Sequence, residues 1–214
     1  MLDASLRAEV QAILTDHGLP HTALSASDGF ANLVVLTPDH VIRLNGGRFP
    51  NAFRHEATVL NHLPRTIPHP VAVAHGARKS GGEFLIVERL PGENLEQAWP
   101  RLNQSDRGRI LGELGRMMKC LHDLPVAGWM HNPWVSDALA TGQWRDAYHA
   151  PPRFFLRLIA SAANERPDLQ GLLRSVSGFI TARLNAFDDG PESFTHTDLH
   201  FRNVIVNGGH VTGL

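Results

Sequence analysis

The stretch "FTHTDLHFRNVIV" (residues 194–206) joins a dense set of polar side chains to an apolar strand. His196, Asp198, His200, Arg202 and Asn203 lie within one short loop, and the apolar run begins at the next residue. Polar residues this dense before a strand either carry chemistry or cap a tight turn. The residues upstream discriminate between these two interpretations.

The spacing within this stretch is H-x-D-L-x-x-x-N, with His196, Asp198, Leu199 and Asn203 at the fixed positions. The catalytic loop of protein kinases has the same spacing. Phosphoryl transfer needs a carboxylate that accepts the proton of the attacking hydroxyl, followed a few residues later by an oxygen ligand for Mg²⁺. A loop of this length lets Asp198 and Asn203 converge on one point from opposite sides. The spacing therefore predicts a phosphotransfer site.

Two other interpretations of the stretch stay open. In the first, the polar residues only cap a turn that leads into the strand. In the second, His196, Asp198 and His200 bind zinc or iron, because residues that alternate by two face the same side of an extended strand. The second interpretation predicts a metal that stays bound through dialysis.

The composition restricts the partners and the cellular compartment that we expect for this protein. The formal net charge is −1, and the chain has no run of lysine and arginine residues of the kind that binds nucleic acid. No window approaches eighteen apolar residues, so we expect no membrane-spanning segment, and the acidic start of the chain predicts no signal peptide. Cys120 is the only cysteine, which predicts a reducing compartment, the cytoplasm.

The periodicity of apolar residues predicts a β-rich front followed by a helical back. Helical spacing marks residues 2–17, 51–63, 105–123, 152–164 and 168–187, with Ser105 as the N-cap of the third helix. Strand-like runs are "GFANLVVLT", "HVIRLN", "HPVAVAHGA" and "EFLIVERL", and a hairpin is predicted around residues 207–209. The pattern is α+β, with "LPGENL" as the linker between predicted domains at residues 1–90 and 91–214.

A phosphotransfer site also needs a fixed cation, and the sequence offers few candidates. Only Lys79 and Lys119 are lysines, one in a glycine-rich turn and one in the middle of a helix, and no G-K-[ST] phosphate loop is present. Arg43 lies on a predicted strand, and Glu56 lies on the next helix at the edge of its apolar face. A guanidinium can bind a carboxylate and phosphate oxygens. Gly29, which precedes a strand, is the candidate for a loop over the phosphates.

The order of these segments resembles the aminoglycoside phosphotransferase-like family, which consists of small-molecule kinases with the two-lobed protein-kinase-like fold. The resemblance covers nearly the whole chain. Its most specific parts are "HTDLHFRNVIV" and "VERLPGENL". It implies an N-terminal lobe with an antiparallel sheet and a helical C-terminal lobe, a donor that is ATP or GTP with Mg²⁺, and an acceptor hydroxyl on a small molecule such as an aminoglycoside or an amino alcohol.

The resemblance also implies roles for individual residues. In the loop, Asp198 would be the catalytic base, Asn203 would bind Mg²⁺, and His196 would brace the loop without touching substrate. The remaining implied residues would bind the nucleotide: Arg43 at the phosphates and paired with Glu56, Val41 over the purine, and the backbone of Glu88 and Leu90 against the edge of the base.

One departure from the family is expected to matter. In such enzymes the strand that corresponds to "HVTGL" continues into an aspartate that holds Mg²⁺, and this chain ends at Leu214. We therefore expect a C-terminally truncated chain with little or no phosphotransfer activity, because the loss of one such charge costs a factor of hundreds or more. Exposed apolar surface would then favour self-association. The alternative function is a nucleotide-binding pseudoenzyme or binding module without phosphotransfer activity.

Overall fold

The computed structural model describes residues 2–21, 23–27, 32–47, 51–130, 151–184, 193–196 and 198–214. The chain forms two compact units, one made of Met1–His131 and Ser193–Leu214, the other of Asn132–Glu192. In the described residues a β-rich front precedes a helical region, so the α+β prediction is confirmed. The predicted domain boundary between residues 90 and 91 stays a prediction.

The first unit begins with a helix and an antiparallel sheet of five strands in the order β1-β2-β3-β5-β4. Two helices accompany this sheet, α1 (Ala4–Asp16) and α2 (Ala52–His62). The strands are β1 (Ser25–Ser27), β2 (Leu33–Leu36), β3 (His40–Leu44), β4 (Ala72–Ala77) and β5 (Glu83–Glu88). Four of the five strands were predicted, and the three-residue β1 was not, because so short a segment shows no alternation.

The sheet has an apolar cluster on each face, and the alternation along β3 and β5 separates them. Ile42 and Leu44 pack with Phe84, Ile86 and residues of α1. The neighbouring positions, Leu85 and Val87, pack on the other face with Phe53 and Ala57 of α2. Strand β5 is therefore buried on both faces, which explains its unbroken apolar run "FLIV". Val41 and Arg43 lie on the face of α2.

A second sheet carries the predicted hairpin. Its strands, in the order β6-β7-β8, are β6 (Glu93–Asn94), β7 (Ile205–Asn207) and β8 (His210–Gly213). Two helices follow β6, namely α3 (Leu95–Ala98) and α4 (Gln104–His122). The segment "LPGENL", predicted as a linker, contributes β6 and pairs with the strand that follows the polar loop. Two residues are too few to show a strand period.

Helix α4 begins earlier than the sequence indicated. The side chain of Asn103 accepts a hydrogen bond from the Asp106 N–H at 2.8 Å and is the N-cap, so the prediction of Ser105 is wrong. Asparagine and serine are both good caps, and the extended backbone of Asn103 decides between them. Ile110 and Leu114 pack in one cluster with Val204, Val206 and other residues around the second sheet.

The described part of the second unit consists of two helices that pack against each other, α5 (Pro151–Glu165) and α6 (Gln170–Thr181). A 3₁₀ turn at Pro167–Leu169 joins them. Among the described residues of both units, no helix has the length and apolar character that crossing a membrane requires.

Candidate active site

The polar loop brings Asp198 and Asn203 into direct contact. The Asn203 Nδ2 donates to the backbone oxygen of Asp198 and to its carboxylate Oδ2, both at 2.9 Å. A 3₁₀ turn at Phe201–Asn203 produces this contact by reversing the chain between the two residues. The Asp198 side chain is 75% exposed, so its carboxylate is held by the amide and still open to a ligand.

His200 is the N-cap of the same turn. Its Nδ1 accepts a hydrogen bond from the Arg202 N–H at 3.2 Å, and its Nε2 lies 3.7 Å from Asp198 Oδ2. Within the described part of the chain, no group of three His, Cys, Asp or Glu side chains is arranged to hold a metal ion. The zinc or iron interpretation is therefore wrong for His196, Asp198 and His200. The Asp198 N–H donates to the His196 oxygen at 2.8 Å, a short-range bond that the extended strand required by that interpretation does not make.

His196 is turned inward. Its Nδ1 is buried and has no hydrogen-bond partner among the described residues. Burial lowers the pKa of His196, and the nearby charges of Asp198 and Glu56 oppose that shift only in part. The imidazole is thus a neutral group behind the loop, and the Glu56 carboxylate is close enough to act on it.

The loop is anchored to the segment that follows β6. The Phe201 ring packs on Trp99 with centroids 4.8 Å apart, and the Arg202 Nε donates to Glu96 Oε2 at 2.7 Å. Strand pairing continues the contact, since the Leu95 N–H donates to the Val204 oxygen at 2.8 Å. Both ends of the 3₁₀ turn are therefore fixed to one part of the structure.

Arg43 and Glu56 form an ion pair between β3 and α2. The guanidinium also lies over the Phe53 ring at 5.2 Å. Helix α2 is held at its first turn by Glu83, whose carboxylate accepts from the Asn51 N–H at 2.8 Å and from the Phe53 N–H at 3.2 Å. Negative charge at a helix N-terminus is stabilising, so Glu83 fixes the helix that carries Glu56.

Val41 lies two residues before Arg43 on the same face of β3 and is half-buried against the cluster of α2 and β5. Glu88 ends β5, and its N–H donates to the Val71 oxygen at 2.9 Å. Leu90 follows, with its side chain against Gly213 of β8. Gly29, the candidate for the loop over the phosphates, lies outside the described residues.

An aromatic bridge that the sequence did not predict joins α2 to the start of the polar loop. Its three rings come from His62 at the end of α2, Trp129 in the 3₁₀ turn Gly128–Met130, and Phe194. His62 stacks on Trp129 with centroids 5.2 Å apart, and Trp129 meets Phe194 at 5.7 Å. The residues are far apart in sequence, and no local spacing could have indicated the contact.

The donor set at the loop fits Mg²⁺. Because Asn203 uses its Nδ2 to bind Asp198, its Oδ1 is directed elsewhere and accepts no hydrogen bond from the described residues. Amide and carboxylate oxygens are the ligands that Mg²⁺ prefers, and thiolate or imidazole ligands, which favour softer metals, are not needed.

Solved structures of aminoglycoside phosphotransferases resemble this chain. The ternary complex of APH(2″)-IIa with streptomycin and ATP matches with a TM-score of 0.59 at 16% identity, covering 100% of this chain and 70% of that one. The GDP complex of aminoglycoside 2′-phosphotransferase-IIIa matches with a TM-score of 0.61 at 18% identity, covering 97% and 71%. A thermostable mutant of APH(4)-Ia with ADP and hygromycin B gives 0.56 at 17%, covering 95% and 68%. These likenesses establish the kinase-like fold predicted from the sequence.

The sequence comparisons extend this finding from fold to family. A comparison with curated proteins gives no match. The sequence profile of the phosphotransferase enzyme family (APH) matches residues 23–214, which include the first sheet, the polar loop and the final hairpin. On that match, the chain belongs to the phosphotransferase enzyme family.

Proposed function

We propose that this protein transfers the γ-phosphate of ATP or GTP to a hydroxyl group of a small molecule, such as an aminoglycoside or an amino alcohol. The observation that carries the proposal is the hydrogen bond from Asn203 to the exposed Asp198 carboxylate. It gives a fixed acceptor for a proton next to an amide oxygen that suits Mg²⁺. The family membership and the nucleotide and aminoglycoside complexes of the related structures support the same reaction.

Asp198 is the proposed general base. Its carboxylate accepts the proton of the acceptor hydroxyl while that oxygen forms a bond to the γ-phosphorus. The bond from the γ-phosphorus to the bridging oxygen breaks, and the electron pair leaves with the nucleoside diphosphate. The Asn203 Nδ2, which donates to Asp198 at 2.9 Å, keeps the carboxylate in place during this step. His196 braces the loop from behind as a neutral group.

Arg43 is the proposed cation at the nucleotide phosphates. The ion pair with Glu56 limits the directions that the guanidinium can take, so that part of the ordering cost of binding is met before the nucleotide arrives. Asn203 would hold Mg²⁺ through its Oδ1, and the bound ion would neutralise charge on the phosphate oxygens.

The base of the nucleotide is proposed to lie between Val41 and the segment that follows β5. The Glu88 N–H is already bound to Val71, so the Glu88 carbonyl is the group that would accept from an amino group of the base. The Leu90 N–H would donate to a ring nitrogen. Gly29 would contribute to the loop over the phosphates.

Replacement of Asp198 by Asn tests the proposal, because the amide keeps the shape of the carboxylate and removes its basicity. We expect turnover of ATP or GTP with an aminoglycoside or amino alcohol acceptor to fall about 100- to 10,000-fold, with the nucleotide Kd nearly unchanged. The matched control is Asp123→Asn, an exposed aspartate at the end of α4 whose carboxylate pairs with Lys119 at 2.6 Å, away from the polar loop in sequence. It should leave turnover unchanged.

The same experiment separates the two candidate functions. Turnover by the unaltered protein that Asp198→Asn abolishes supports the phosphotransferase. Nucleotide binding by both proteins, with no turnover by either on a panel of amino-containing alcohols, would refute the proposal and support the nucleotide-binding alternative. The low activity expected from the missing aspartate stays a prediction, which the turnover number of the unaltered protein tests: a small but measurable value agrees with both that expectation and the proposal. Light scattering tests the predicted self-association.

A further inference from the structure

The hydrogen bond that caps the 3₁₀ turn fixes the position of the proton on His200. The Nδ1 of His200 accepts from the Arg202 N–H at 3.2 Å, and a ring nitrogen can accept only when it carries no proton. The proton of the neutral imidazole therefore lies on Nε2. That atom is 3.7 Å from Oδ2 of Asp198, so an N–H dipole lies next to one oxygen of the carboxylate.

The two oxygens of Asp198 are consequently not equivalent. Oδ2 accepts from Asn203 Nδ2 at 2.9 Å and also faces His200 Nε2. Oδ1 has no hydrogen-bond partner among the described residues, and the side chain is 75% exposed. The oxygen that remains open to an acceptor hydroxyl is therefore Oδ1.

We propose that His200 is a positioning residue for the reaction and acts through Asp198. This inference rests on the proposed function, in which Asp198 is the base. Together with Asn203, the His200 Nε2–H holds Oδ2 so that Oδ1 faces the acceptor. A distance of 3.7 Å is beyond a direct hydrogen bond, so the interaction is electrostatic here, and it strengthens when substrate excludes water from the exposed loop.

Charged and titratable groups surround His200 on several elements. Asp198 faces its Nε2, and His196 lies close enough for the two imidazoles to act on each other. Arg202 follows in the same turn and is bound to Glu96 at 2.7 Å, so its charge is directed away towards the segment after β6. Asp198 is therefore the partner to which the Nε2–H dipole is aimed.

Two replacements separate the capping role of His200 from its positioning role. His200→Asn keeps a good N-cap acceptor for the Arg202 N–H, but its side chain is too short to reach Asp198. His200→Ala removes both functions. If the positioning role is real, both variants lower kcat about tenfold, the value of one modest hydrogen bond, with the KM of the nucleotide unchanged. If only capping matters, His200→Asn behaves as the unaltered protein, and the inference is wrong.

A measurement that does not need turnover keeps this inference separate from the proposed function. In ¹⁵N-labelled protein, the imidazole nitrogen shifts of His200 should report the Nε2–H tautomer, and Asp198→Asn should move them while those of the exposed His122 stay fixed. A His200 in the Nδ1–H form, or shifts that ignore Asp198→Asn, would overturn the inference. Absence of turnover with the expected shifts would refute the proposed function and leave the geometry of His200 established.

Discussion

Replacement of Gly92 by alanine should damage the second sheet at a single point. Gly92 has a φ of +118°, and a Cβ built there would lie 2.2 Å from the Val206 oxygen and 2.8 Å from the Val206 carbonyl carbon. A residue with a side chain is destabilised by about 1–3 kcal/mol when its backbone is held in this conformation. Relief of the overlap requires β7 to move, which weakens its pairing with β6 and the 2.8 Å bond from Leu95 to Val204.

The expected cost of Gly92→Ala follows from these two contributions. Loss of about two backbone hydrogen bonds at about 1 kcal/mol each, added to the conformational cost, gives a decrease of about 3–5 kcal/mol in the free energy of unfolding. That is a large part of the about 5–15 kcal/mol that stabilises a typical domain. Because β7 begins two residues after Asn203, the nucleotide Kd in the presence of Mg²⁺ should also rise.

Urea unfolding followed by circular dichroism measures the effect, with Gly81→Ala as the matched control. Gly81 has a similar φ of +95°, and a Cβ there would meet nothing within 4 Å. The control therefore carries the conformational cost without the overlap and should lose about 1–3 kcal/mol, without the further loss from weakened strand pairing. Equal loss of stability in the two variants would refute the reasoning, since it would mean that β7 does not restrict residue 92.

Three further predictions concern the site. Glu56→Gln removes the charge that orients Arg43, so we expect the KM for nucleotide to rise about fivefold. That factor corresponds to about 1 kcal/mol, the contribution of a partly exposed ion pair. An unchanged KM in steady-state kinetics would show that Arg43 needs no partner. Trp129→Leu removes both ring contacts of the aromatic bridge, so the free energy of unfolding should fall by about 2 kcal/mol in urea, whereas an unchanged midpoint would contradict the bridge. Burial lowers the pKa of His196 in the folded protein. Below the ordinary imidazole pKa of about 6.5, the unfolded chain therefore binds more protons at this residue than the folded protein does. The free energy of unfolding should then fall as the pH drops through that value. His196→Asn should reduce this slope in thermal melts at pH 5–7.5. An equal slope in both proteins would assign the effect to other groups, such as the partly buried His55, whose pKa burial also lowers.

The strands that the sequence predicted are those long enough to show a pattern of apolar residues. Alternation in "HVIRL" and the unbroken run "FLIV" marked β3 and β5 because one strand has a two-sided pattern and the other is buried on both faces. The short strands β1 and β6 escaped detection because two or three residues cannot show a period. Their existence depends on partners elsewhere in the chain.

The candidate site likewise has contacts that the sequence predicted and contacts that it did not. The motif spacing indicated that Asp198 and Asn203 converge, since the loop between them is short. The spacing also suggested a metal site that included His200, and this was wrong because alternation by two has meaning only on an extended strand. The aromatic bridge through Trp129 depends on contacts between segments that are far apart in sequence, and a local sequence pattern does not indicate such contacts.

The long reach of the final hairpin affects the order of events during synthesis. Thr212 donates a hydrogen bond to the Pro91 oxygen at 2.8 Å, across a separation of 121 residues. Strand β6 cannot pair until β7, its partner, has been synthesised. On the ribosome, the five-stranded sheet has all its strands long before these residues emerge. Residues 93–95 must therefore stay unpaired until residues 204–206 have been translated, and the loop with Asp198 gains its anchor only after that point.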